Sequence, residues 1–137
     1  MCLKMENEII KEILDEIESS LKDPKGIKSH QRRLAFSLSL GSITLLEIYL
    51  KKLNVLKLGM KINHQWFKKK KENVKEILSK YVTSPMNKLS DIDEVLSIIY
   101  EIERERNELA YGKIASEEKL REKINLFLEL KKRVENV

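Results

Sequence analysis

Apolar residues recur at helical spacing along most of this chain, and the pattern resolves into five helices and no sheet. Ile9, Ile10, Ile13, Leu14, Ile17 and Leu21, with acids and lysines between them, predict a first helix from about Met5 to Leu21. Asp23-Pro24-Lys25-Gly26 stops it. A second helix is predicted from about Ser29 to Leu53. It is apolar on one side through Leu34, Leu38, Leu45 and Tyr49, and on another through Phe36, Leu40, Ile43, Leu46, Leu50 and Leu53. A helix of this kind needs cover from two directions, which marks it as the central helix of a bundle. Its small residues, Ala35, Ser37, Ser39, Gly41 and Ser42, let a neighbour approach closely, and its surplus apolar surface suits a dimer interface.

A connection from Asn54 to His64 contains Gly59. The third predicted helix spans about Gln65 to Tyr81 and ends at Thr83-Ser84-Pro85. The fourth starts near Ser90, which stands at capping-box spacing from Asp93, and reaches Tyr111 with Gly112 at its end. The fifth runs from Ser116, an N-cap, to about Val134, with Leu120, Ile124, Phe127 and Leu128 as its buried stripe. The expected fold is all-α: an antiparallel four/five-helix bundle forming a single domain over residues 1–137.

Composition narrows the chemistry. The chain has 137 residues, with 4 Gly and 2 Pro, too few for a collagenous, low-complexity or turn-rich all-β chain. Cys2 stands alone and the two histidines are isolated, so neither a disulfide nor a zinc site is expected, and no cofactor. The net charge of +5 is mild and interleaved, which permits an anionic partner without demanding one. MCLKMENEII does not read as a signal peptide, because acids interrupt it before an apolar core develops. Leu34 to Leu50, the most apolar stretch, is 17 residues with a Glu inside, short for a membrane span. The expectation is a cytoplasmic protein with no membrane association. Its wealth of Lys, Glu and Ile matches thermophilic compositions.

The fourth helix carries the most informative feature. With Ile99 at zero and about 100° per residue, it puts Arg106 near −20° and Glu103 near +40°, inside the stripe of Ile92, Val95, Leu96, Ile99, Ile102, Leu109 and Ala110. A buried, unpaired guanidinium costs several kcal/mol, on the order of the 3–5 seen when one partner of a buried pair is removed. One reading is a structural ion pair with Glu103, three residues away, or with Glu47 of the second helix. The other is a cleft in which Arg106 faces an anion such as phosphate.

The run Arg104-Glu105-Arg106-Asn107-Glu108-Leu109-Ala110-Tyr111-Gly112 resembles the signature of the HEPN superfamily, the higher eukaryote and prokaryote nucleotide-binding domains. That signature is an Arg, often followed by Asn, and then a His near the end of a late helix of an all-α bundle. Arg106 and Asn107 match, and Tyr111 takes the place of the His at its shortest spacing. The long apolar second helix with an internal acid, Glu47, and the Gly-containing connection to His64 resemble the family as well. The resemblance implies a homodimer with both Arg-bearing helices lining a shared cleft. It also implies either a metal-independent endoribonuclease, or a non-catalytic relative that binds nucleotide or RNA or pairs with a small nucleotidyltransferase in a toxin–antitoxin arrangement. Tyr111 departs from the pattern. Histidine exchanges protons near neutrality, whereas an unperturbed tyrosine, with a pKa of about 10, stays protonated. The tyrosine that a partner nucleotidyltransferase modifies in the family would fall at Lys113, so modification is not carried over.

The expected function is therefore a HEPN-like dimer acting as a non-catalytic or degenerate nucleotide- or RNA-binding or interaction module. The alternatives are an endoribonuclease using Arg106, Asn107 and Tyr111, and a purely structural dimerisation protein. Glu47, Glu103 and His64 are supporting candidates. His64 is a replacement general base on chemical grounds and a loop residue packed beside Trp66 on structural ones. Lys68, Lys69, Lys70 and Lys71, next to Trp66 and Phe67, suit a phosphate backbone and a stacked base; the plain alternative is a solvated face over two core aromatics. His30 reads as solvent-facing or capping. No phosphate loop, nucleophile elbow or zinc motif is present.

Overall fold

A computed structural model describes residues 3–68, 70–89 and 91–137, and only the backbone of Leu3 and Lys71. Its α-helices are α1 (Leu3–Lys22), α2 (Gln31–Lys52), α3 (Lys71–Ser79), α4 (Ile92–Glu103), α5 (Arg106–Tyr111) and α6 (Glu117–Glu135). Short 3-10 turns cover Ile27–His30, His64–Lys68 and Met86–Lys88. Among the described residues there is no strand, only one bridge between Leu56 and Val82. The architecture is an all-α helical bundle, as the periodicity predicts.

α2 is its axis and packs against α1, α4, α5 and α6. Every residue from Gly41 to Leu50 is buried, which explains a pattern apolar on more than one side. Gly41 has a packing reason. A Cβ there would lie 2.5 Å from Phe127 Cε1 and 2.8 Å from Ile13 Cδ1, so only the bare backbone lets α1 and α6 close onto α2. Ile27–Lys52 is long and apolar enough to cross a membrane by length and composition, unlike Leu34 to Leu50 alone, and 72% of its most apolar stretch is buried within the bundle.

α6 starts where expected, with Ser116 Oγ accepting from the Lys119 N–H at 3.1 Å. Other expectations fail. The third predicted helix is two pieces, the His64–Lys68 turn and α3. Phe67 is buried, while Trp66 is half-buried against Tyr81, with ring centroids 4.8 Å apart. Leu21, Phe36, Leu40 and Leu128 are exposed, since tertiary cover does not extend to their sides of the helices. His30 holds the N-cap position of α2, without a side-chain cap bond, and is not solvent-facing but buried between two carboxylates. Ser90, Lys69 and Cys2 lie outside the described residues; the N-cap of α4 is Asp91, in a left-handed conformation with φ 62°.

The fourth predicted helix is broken. α4 ends at Glu103, and α5 begins at Arg106 after a turn in which Glu105 has φ −119° and ψ 18°. The break has visible partners on α6. The Glu105 carboxylate binds Lys119 Nζ and lies 3.8 Å from Lys123 Nζ. Lys123, itself buried, donates to the Glu101 carbonyl at 2.6 Å, an acceptor of the kind a helix end leaves open. Burial pushes the Lys123 ammonium below its ordinary range, and Glu105 pulls it back up. From the other side, buried Gln31 Nε2 donates to the carbonyls of Leu109 at 3.1 Å and Lys113 at 3.0 Å, and its Oε1 accepts from the Ala115 N–H at 2.8 Å. Arg32 adds a 2.6 Å bond to the Ala110 carbonyl. α5 is thus tied down at both ends.

Candidate functional site

The break re-aims Arg106. Extrapolating α4 would put this side chain at the centre of the apolar stripe. The turn at 104–105 brings it instead to the rim of the bundle, half-buried, on a wall shared by two hollows. The larger, about 740 Å³, is lined by the aromatics Phe36, Trp66 and Tyr81 and by Lys61, His64 and Arg106 among others. The smaller, about 330 Å³, includes Lys68, Tyr100, Glu103 and Asn107. The guanidinium carbon sits 5.1 Å from the centroid of Phe36, a cation–π contact. Nη1 makes one long bond, 3.3 Å, to Asn107 Oδ1. Nε is buried, and among the described residues no group accepts from it.

Neither predicted carboxylate partner pairs with Arg106. Glu103 lies within electrostatic reach, but no ion pair within 4 Å joins the two among the described residues; its Oε1 accepts from Ser39 Oγ instead. Burial lifts the Glu103 carboxyl above its ordinary value, against the pull of Ser39, Arg106 and Lys68. Glu47 serves a different purpose. Its Oε1 accepts the Ile62 N–H at 3.1 Å, and it too is lifted by burial. That bond pins the connection that follows α2, two residues before His64.

His64 therefore reaches the larger hollow on a held segment. Asn63 Oδ1 accepts the Gln65 N–H at 2.8 Å and the Asn63 carbonyl accepts the Trp66 N–H at 3.1 Å, which starts the 3-10 turn. His64 Nδ1 is buried without a hydrogen-bond partner. Burial, then the charges of Arg106 and Lys68, push its pKa below the ordinary value, so the ring is neutral at neutral pH. No carboxylate lines this hollow among the described residues. Cations, aromatic faces and an unpaired guanidinium edge in a carboxylate-free hollow favour an anionic, planar guest.

The other predicted residues stand as follows. Asn107 is exposed beside Arg106. Tyr111 is 72% exposed, lines neither hollow and meets the edge of Phe36 at 5.8 Å. Lys68 faces the smaller hollow, Lys70 is exposed at the start of α3, Lys69 lies outside the described residues and so does the side chain of Lys71. Phe36, Tyr81 and Lys61 escaped sequence reasoning. Phe36 belonged to an apolar stripe and was expected to be buried, and nothing local links Tyr81 or Lys61 to Arg106. Compared with protein-family models, with curated proteins and with solved structures, the chain finds no match.

Proposed function

We propose that this protein is a HEPN-like helical dimer whose Arg106 cleft binds the phosphate and base of single-stranded RNA or of a nucleotide. One observation carries the reading: among the described residues the buried Arg106 Nε has no acceptor, and it lies at a hollow with three aromatic side chains and no carboxylate. A buried donor left unmatched calls for an explanation, and a phosphate oxygen supplies it. Trp66 and Phe36 offer faces for a base, worth roughly 1–3 kcal/mol per stacked base. Lys61 adds positive charge at the larger hollow. The Arg-Asn pair keeps its motif position, while Tyr111 lacks the proton chemistry of the family's His, which makes the motif itself degenerate.

Trp66 is the only tryptophan in the chain and lines the larger hollow, so its fluorescence reports on the site directly. Titration with a short single-stranded RNA and with a mononucleotide is expected to quench it in a salt-dependent manner, and Arg106→Ala is expected to abolish the quench. Unchanged fluorescence at low salt defeats the proposal.

The dimer rests on a separate observation. Phe36, Leu40, Tyr111 and Ile114 are 40%, 53%, 72% and 61% exposed, and Phe36, Leu40 and Tyr111 lie around the mouth of the cleft, through the cleft lining and the Phe36–Tyr111 contact. Such a face suits a second copy. Light scattering should give twice the chain mass, and Leu40→Glu should return the monomer. A monomeric wild type would favour the alternative of a foreign partner, such as a nucleotidyltransferase.

A further inference from the structure

We propose that the turn at residues 57–60 is a contact for an anionic membrane surface, with Leu58 and Met60 entering the apolar layer and Lys57 and Lys61 meeting the headgroups. The contact does not depend on Arg106 or on what the cleft binds.

The positive charge of the chain is concentrated here. Eight of its 27 Lys and Arg residues lie between Glu47 and Glu72, with no acid among them, and the remaining 19 stand against 22 acids. The net +5 therefore belongs to this connection, and the rest of the chain is acidic. Lys51 and Lys52 are used within the bundle, on Glu6 and on the carbonyls of Val134 and Glu135. Lys57 and Lys61 are exposed, and neither makes an ion pair among the described residues.

The turn between them presents apolar side chains outward. Leu58 is 101% exposed and Met60 39%. A lone exposed leucine is ordinary. What sets Leu58 apart is that a braced turn holds it out between two unpaired lysines. The Lys57 N–H donates to the Tyr81 carbonyl at 2.9 Å and the Thr83 N–H to the Val55 carbonyl at 2.7 Å, around the bridge of Leu56 with buried Val82. The Met60 N–H closes the turn onto the Lys57 carbonyl at 3.2 Å, and Gly59, with φ 77°, takes the left-handed position that such a turn requires.

Shape and charge select the occupant. The tip is convex: a Cβ on Gly59 would meet nothing within 4 Å. A convex apolar tip with cations at its base suits a soft apolar layer roofed by negative charge, where lysine stems lie in the apolar region and their ammonium groups stay among the headgroups. A second copy would bring the same positive charge to the contact, and like charges repel. Such a contact needs no spanning segment. It departs from the expected lack of membrane association without calling on α2, most of whose apolar stretch is buried in the bundle.

Sedimentation of the full chain with vesicles tests this, using phosphatidylcholine alone and phosphatidylcholine with about a third phosphatidylserine. The chain is expected to pellet with the anionic vesicles and to stay in solution beside the neutral ones. Leu58→Ser keeps every charge. It should weaken binding at least about tenfold, with the urea midpoint unchanged because Leu58 is fully exposed. Lys57→Ser should weaken binding about fivefold, the effect of one lysine at an anionic surface. Arg106→Ala should bind vesicles as the wild type does, and a loss there would move the contact to the cleft and overturn the proposal. No pelleting with anionic vesicles at low salt overturns it. Equal pelleting by Leu58→Ser does so too, since charge alone would then hold the protein at the surface. A protein partner that needs Leu58, with vesicles left unbound, would assign the tip to a pocket in that partner and overturn it equally.

Discussion

Two regions along α2 hold polar side chains in opposite states. At its start, Gln31 uses both atoms of its amide on Leu109, Lys113 and Ala115, and His30 has a carboxylate at each ring nitrogen, with Arg33 bridging to Glu16 at 3.0 Å. In the cleft beside its middle, Arg106 Nε and His64 Nδ1 are buried too and have no hydrogen-bond partner among the described residues. Burial alone does not separate the two sets; completeness of hydrogen bonding does. The first set closes the α5–α6 connection onto the bundle. The second leaves its bonding capacity unused among the described residues.

The contrast breaks most easily at Gln31. Gln31→Leu leaves the carbonyls of Leu109 and Lys113 and the N–H of Ala115 without partners, and about 3 kcal/mol of folding stability should be lost in urea denaturation, given roughly 1–3 kcal/mol per unsatisfied buried group. A loss within experimental error would mean that the bonded corner is dispensable. Next in size is ligand stabilisation. Single-stranded RNA at 100 times its Kd should raise the stability of the wild type by about 2.7 kcal/mol and leave Arg106→Leu unmoved. Equal gains in both proteins would move the site away from Arg106. Arg106→Leu without ligand should stay within about 1 kcal/mol of wild type, because the unmatched buried donor goes together with only one long bond to Asn107 and a cation–π contact with Phe36. A loss like that of Gln31→Leu would reveal a structural arginine.

The smallest effect is a pH dependence. The folded state holds the His64 pKa below its ordinary 6.5, so the unfolded chain binds that proton more readily. Stability is therefore full above the unfolded value and falls as the pH drops below about 6.5 toward the folded pKa. His64→Gln should flatten this part of the curve, seen as a smaller difference between urea midpoints at about pH 7.5 and 5.5. An unchanged slope would assign the dependence to other groups.

Much of the fold is legible in local pattern. The Ile9 to Ile17 spacing, the two-sided apolar character of α2 and the Ser116 cap each reflect interactions within a turn or two of chain. The site is legible only in part. Arg106 stood out as a charge on an apolar stripe, yet the stripe assumed an unbroken helix, and the turn at 104–105 invalidates the wheel beyond Glu103. Nothing in Arg104-Glu105 announces that turn, which carries no Gly or Pro. His64 was visible as chemistry but not as a neighbour.

The sequence by itself determined an all-α bundle with α2 at its centre, because helical periodicity and capping are properties of nearby residues. Tertiary structure alone decided that Glu105 binds Lys119 and Lys123 of α6, that Gln31 anchors α5, and that Glu47 holds the segment carrying His64. Those contacts span long stretches of chain, and their strength depends on burial, which no local window records. Together they turn Arg106 away from the core and bring His64 to the same hollow.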